Sequence, residues 1–306
     1  MNEPQAARAT HIGRTLVIAS NTFTQLVRMK VFYFLAVFGV IAIASNFFDM
    51  PQHTGPEAIG ANVLRSIKSW SLGAMTLFSV VLAVVATALL LPKDVEDRTL
   101  YTILAKPVPR LDYLAGKLLG VLALIFVSLL AMDILMTAVL HIRTQIVLDQ
   151  QMTLAAAMGY TEEARESLRA ETLAQGPNWS LQAAVLAVFL RAAVIAAVAM
   201  LVSTFSTSTL FTAVISFLIY FIGHFQADLR SAWLAGGADG EGWIARGVSL
   251  LVSLILPDFQ LFNVVDAVIE GQLVSIAVMA KLIGVGLFYV IFYTLCSWLI
   301  FAEKEF

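Results

Sequence analysis

The chain has one cysteine, Cys296, so it forms no internal disulfide and no thiolate metal site. Charged residues make up only 13% of it, and the net charge of -2 with scattered Lys and Arg leaves no basic stripe for a nucleic acid. No Gly-rich loop closes on Lys and Ser or Thr, so the chain does not itself cradle ATP. The histidines, His11, His53, His141 and His224, lie far apart and none belongs to an HExxH pattern. Neither the Met residues nor His141 are spaced as a metal cluster, and no nucleophile and base converge at one depth, so the chain is not expected to be an enzyme or to hold a cofactor. Internal repeats with helices broken near the midplane, the mark of many secondary transporters, are also missing.

What is present is apolar. Apolar residues are 59% of the chain and the mean hydropathy is +0.85, outside the usual soluble range. About 20 residues of helix cross a bilayer. Six such runs are expected: Val27 or Val31 to Phe47, Ser71 to Leu91, Leu118 to Leu140, Leu181 to Val202, Leu210 to Phe225, and Leu273 to Phe301. The fold class is therefore all-α integral membrane, with residues 31–306 as the transmembrane domain. Residues 1–30 lack the order of a signal peptide and carry an amphipathic helix over Ile12 to Arg28, whose stripe of Ile12, Leu16, Ala19, Phe23 and Leu26 suits either the cytoplasmic membrane surface or the bundle. Residues 141–180 form a polar excursion with a helix opening at Thr161-Glu162-Glu163 and closing at Gln175-Gly176-Pro177. Residues 226–272 hold a polar loop and two apolar pieces too short to cross, read as re-entrant helices. The turn STFSTST between the fourth and fifth runs offers hydroxyls to helix ends.

The densest polar pattern is the island 92–117 between the second and third runs. Pro92 is expected to stop the preceding helix, Asp94 to cap a new one, and Leu100, Ile103 and Leu104 to share a face before Pro107. A helix of about ten residues does not stand alone in water and has to dock. The series Glu96, Thr99, Leu104, Pro107, Arg110, Lys117 resembles the coupling helix of ABC-2-type exporter permeases, which sits in a cleft of a cytoplasmic ATPase; Arg98 stands where that family commonly has Gly. Residues 257–262, PDFQLF, beside a short apolar segment resemble the subgroup that contains the copper-maturation permease of nitrous-oxide-reductase systems.

The resemblance implies the ABC-2 exporter topology, with a cytoplasmic coupling helix and short re-entrant helices before the last span. It also implies an ATPase-coupling interface of Val95, Glu96, Thr99, Leu100, Ile103, Leu104, Pro107 and Arg110. ATP and Mg belong to a separate ABC ATPase subunit, present in two copies, and a second or homologous permease completes the complex. The chain would be a permease for outward transport; the alternative is a non-transporting subunit that passes ATPase work to an extracytoplasmic protein. Lys and Arg are densest before the first run and in 92–117, which puts both termini in the cytoplasm of a bacterial inner membrane. Two charges lie inside runs, Asp133 in the third and Arg191 in the fourth, and counting residues brings them within roughly 10 Å in depth. A charge pair there is either a latch or part of gating. Lys281 is expected to snorkel or to meet Asp258, Asp266 or Glu270 of the re-entrant region that begins at Pro257.

Overall fold

The computed structural model describes residues 11–47, 60–96, 109–206, 208–236 and 256–303. All regular structure among them is helical. The elements are α1 (His11–Val27), α2 (Lys30–Ala44) running into a 3-10 turn (Ser45–Phe47), α3 (Ala61–Glu96), α4 (Arg110–Ala157), α5 (Glu162–Ala174), α6 (Trp179–Phe205), α7 (Thr209–Gly236), a 3-10 turn (Phe259–Phe262), α8 (Val265–Ile269) and α9 (Ile276–Glu303).

The bundle is built around α6. Nearly all of its residues are buried, and many are alanines, among them Ala184, Ala187, Ala192, Ala193, Ala196 and Ala197. In lipid no hydrophobic drive brings helices together, so close backbone approach over small side chains supplies the attraction. α3 and α9 pack most extensively against α6, and α4 and α7 contact it less. α9 meets it with the stripe Leu282, Gly286, Tyr293, Ser297 and Phe301 and turns Leu287, Phe288, Ile291 and Leu299 outward. Between α6 and α7 the hydroxyl-rich turn serves the backbone: Ser206 Oγ accepts from the Ser208 N–H at 2.9 Å, and Ser208 Oγ accepts from the Phe211 N–H at 3.4 Å.

Among the described residues, five helices are long and apolar enough to cross a membrane, α3, α4, α6, α7 and α9, where six were expected. The first run falls short because α2 has only 15 residues, a rise of about 22 Å against a core of about 30 Å. Two expected boundaries also move. Helix α3 starts ten residues before Ser71 and continues through Pro92 to Glu96, so Pro92 does not end it and Asp94 opens no new helix. In membrane helices the carbonyl freed by a proline finds other partners, and the helix survives it. The third run is the middle of the 48-residue α4, about 72 Å long, which carries the excursion outward as one rigid rod. That rod ends in a Schellman motif: Gly159 has φ 74°, Tyr160 N–H donates to Ala155 O at 3.0 Å, and Gly159 N–H to Ala156 O at 3.2 Å. Thr161 then caps α5, its side chain accepting from Ala164 N–H at 3.3 Å.

Helix α1 follows the start of α4 instead of lying free. His11 stands beside Asp112, Ile18 beside Gly116 and Thr22 beside Gly120, so the two helices run the same way. The buried face is Ile18, Thr22 and Leu26, while Ile12, Leu16 and Val17 stay exposed. The two glycines make the contact: a Cβ at Gly116 would lie 2.9 Å from Thr15 O, and one at Gly120 would lie 2.8 Å from Ala19 O, both backbone atoms. Gly120→Leu should therefore push α1 away and lower stability by about 1–3 kcal/mol. Thermal unfolding of the wild type and the variant in detergent measures this. Unchanged unfolding would show that α1 does not seat there.

Candidate functional site

At one end of the bundle, Arg110 opens α4 and its Nη1 donates to Phe301 O at 2.8 Å and Ala302 O at 2.6 Å. These are last-turn carbonyls of α9, which lack intrahelical donors and lie at the negative end of the helix dipole, so a guanidinium satisfies both needs. The guanidinium carbon also stands 6.0 Å from the Phe301 ring centroid, and Tyr113 stacks on the same ring at 6.1 Å. Two residues on, Asp112 is buried and its Oδ2 meets His11 Nδ1 at 2.9 Å. Lys117, also buried, places Nζ 5.7 Å from the Tyr113 ring centroid. The first two turns of α4 are thus tied to α1 on one side and to the end of α9 on the other. Of the expected coupling residues, Arg110 falls in this brace. Val95 and Glu96 form part of the last turn of α3, and Thr99, Leu100, Ile103, Leu104 and Pro107 lie outside the described residues.

The intramembrane charges are arranged differently from the expectation. No ion pair joins Asp133 to Arg191 among the described residues. Asp133 is buried and accepts from Gln182 Nε2 at 3.3 Å. Gln182 is nine residues before Arg191 on α6, so the carboxylate sits about 13 Å along that helix from the guanidinium. Residue counting missed this because it placed both helices against fixed membrane surfaces, whereas α4 begins well before Leu118 and extends well past Leu140. Arg191 is 5% exposed and is flanked by Tyr220 of α7 and Asp266 of α8, yet its Nε and Nη2 have no hydrogen-bond partner.

The expected re-entrant piece 248–256 lies outside the described residues except for Leu256; of the second, the 3-10 turn packs against α7 and α8 against α6 and α3. Pro257 is buried, and its carbonyl lies 2.5 Å from where a Cβ at Gly223 would stand, so only glycine lets α7 pass. Asp258 caps the 3-10 turn by accepting from Gln260 N–H at 3.0 Å, and Gln260 Nε2 donates to His224 O at 3.0 Å. Lys281 is exposed and, among the described residues, makes no ion pair with Asp258, Asp266 or Glu270.

The opposite end of the bundle holds a polar layer that residue patterns did not single out. Lys68 is fully buried and its Nζ donates to Gln175 Oε1 at 2.8 Å; Gln175 Nε2 donates in turn to Glu270 O at 3.3 Å. Thr172 Oγ1 donates to Gln151 Oε1 at 2.7 Å, and Arg143 Nε donates to Asn46 O at 3.1 Å. These bonds hold α2, α3, α4, α5 and the segment after α8 together. Lys68 was the available signal, a cation three residues before an apolar run, but nothing in sequence points from it to Gln175.

The chain matches no protein-family model and no curated protein. The geometry supports a multi-span α-helical membrane protein, braced at the Arg110 end and tied by a polar layer at the Lys68 end. Among the described residues no group of His, Cys, Asp and Glu is placed to hold a metal ion.

Gln175→Leu should strand the buried Lys68 ammonium and lower stability by about 1–3 kcal/mol, and adding Lys68→Met should restore more than half of the loss. Thermal unfolding in micelles of both single variants and the double variant reads the coupling. Purely additive losses would mean that the bond contributes nothing.

Proposed function

We propose that this chain is the transmembrane permease subunit of an ATP-driven transporter of the ABC-2 type. In this reading a separate ATPase subunit engages residues 95–110 and drives outward movement of a cargo. The observation that carries the reading is the brace at the start of α4. A displacement delivered to the segment that ends at Arg110 is passed to α9 through the guanidinium and to α1 through Asp112 and His11. Through α4 itself it travels as a rigid rod to the outer polar layer. A lever with three stiff arms at its short end is what a coupling subunit needs, and the spacing of Glu96, Thr99, Pro107, Arg110 and Lys117 adds the resemblance already described.

Six crossings fit this reading despite the short α2. Alongside α4, α1 and α2 keep company from Gly120, which meets Thr22, to Arg143, which meets Asn46. That stretch of α4 rises about 35 Å, so the last turns of α1 and α2 together match a bilayer although neither does alone. An even count supports a shared cytoplasmic side for both termini. Association with a second permease copy is supported by α7, whose Leu210, Phe211, Val214, Leu218, Phe221 and Phe225 stay exposed as one apolar face.

The second reading, a subunit that transmits ATPase work to an outer protein, draws on the hairpin of α4 and α5. From His141 to Ala157 the rod runs about 25 Å beyond the expected span and carries an exposed acidic helix, with Glu162, Glu163, Glu166 and Glu171.

Leu104→Asp should lower co-purification of the ATPase subunit and its stimulated hydrolysis together. Arg110→Ala should leave the complex intact while reducing stimulation several-fold, because it cuts the lever and not the contact. Equal complex yield and equal hydrolysis in wild type and Leu104→Asp would sink the proposal. Stimulation that requires an added outer protein would favour the second reading.

A further inference from the structure

Between α2 and α3 lies a lateral groove of about 400 Å³ lined by Phe38, Ala42, Ser69, Trp70, Gly73, Ala74 and Leu77. Two contacts bracket it. Asn46 Nδ2 reaches Ser71 Oγ at 3.4 Å at the outer end, and a Cβ at Gly39 would touch Met132 and Phe78 at the inner end. From Trp70 to Leu77 the groove runs about 10 Å along α3. Its floor is made by small residues, and a Cβ built on Gly73 would meet nothing within 4 Å. Its rim is bulky and open to the bilayer: Phe38 is 48% exposed, Leu77 53% and Trp70 63%. Trp70, next to Ser69 at the outer end, has the amphipathic ring that settles at a headgroup boundary.

Above the groove the charge is unbalanced. Arg65 stands one turn before Ser69 on the same side of α3. Its side chain is half-buried, and among the described residues its one hydrogen bond is from Nη1 to Asn62 Oδ1 at 3.5 Å, at the long limit for such a bond. The neighbouring Lys68 has only a neutral acceptor, Gln175, and neither cation forms an ion pair among the described residues. An oxyanion that accepts from a guanidinium fork is the missing complement.

A cationic head one helical turn above an apolar slot in the lipid-facing wall is complementary to an amphiphile. We propose that this groove is a specific site for an anionic phospholipid of the outer leaflet, its phosphate on Arg65 and one acyl chain lying over Gly73 between Phe38 and Leu77. A helix of a second copy fits less well. Residues 209–226 and 276–302 contain no Asp or Glu, so the apolar stretches of α7 and α9 from a second copy would bring no carboxylate into the groove, although Asp228 follows on α7. The groove and the charge are independent of the transport reading; the assignment to the outer leaflet rests on the orientation given there.

The test uses the full chain, purified in mild detergent and exchanged into phosphatidylcholine nanodiscs doped with phosphatidylglycerol. Native mass spectrometry should show retained phosphatidylglycerol in preference to phosphatidylcholine, and thermal unfolding should rise with phosphatidylglycerol content. Arg65→Gln should weaken that preference about tenfold, as expected for loss of one charge-assisted contact. Gly73→Leu, which fills an open space on the lipid side, should abolish retention while leaving unfolding in pure phosphatidylcholine as in the wild type. Equal retention of the two lipids by the wild type, or wild-type retention by Gly73→Leu, would overturn the proposal. So would efficient disulfide formation between copies carrying Ala74→Cys, because a second chain would then occupy the groove.

Discussion

Everything in this bundle depends on how closely other helices approach α6. A helix made of Ala and Val through its middle has little side-chain bulk to separate backbones, and in lipid that proximity, with its dispersion contacts, replaces the hydrophobic effect as the source of association. Because α3 and α9 lie against α6, the two ends of the bundle are positioned by it. At one end this brings the α9 carbonyls under Arg110; at the other it brings Gln175 over Lys68.

The polar groups follow the same logic of satisfaction without water. Arg110 gives its N–H groups to carbonyls that a helix end always leaves open, Asp112 takes a histidine, and Lys68 takes an amide oxygen in a layer where every partner comes from a different segment. These bonds do not simply add stability. Each fixes the register of one helix against another, and α4 is tied in this way near both of its ends. Among the described residues, two cations escape this accounting. Arg191, flanked by Tyr220 and Asp266, keeps two unpartnered nitrogens deep in the bundle, and Arg65 keeps one at its outer wall.

Membrane insertion also explains why the short α2 is tolerated. It does not need to hold itself in place, because α1 continues the same path along α4 and glycines at 116 and 120 let α1 come into backbone contact. The break at Arg28 and Met29 divides one long companion of α4 into two helices, and hydropathy alone sees only the second.

Sequence by itself determined the fold class, the approximate centres of five spans, the α5 cap at Thr161 and the hydroxyl-rich turn between α6 and α7, because each rests on local chemistry: apolar length, a side chain within three residues of the backbone it serves, or the absence of any catalytic pattern. It also marked Arg110 as a residue with work to do. Tertiary structure alone decided where helices end and which charges meet. Pro92 reads as a stop but lies inside α3, which continues to Glu96. Asp133 and Arg191 read as a pair because depth was counted from assumed surfaces; the sliding of α4 along α6 sets Asp133 against Gln182 instead. Lys68 and Gln175, or His11 and Asp112, are about a hundred residues apart, and no local pattern encodes a contact that exists only once the helices have packed.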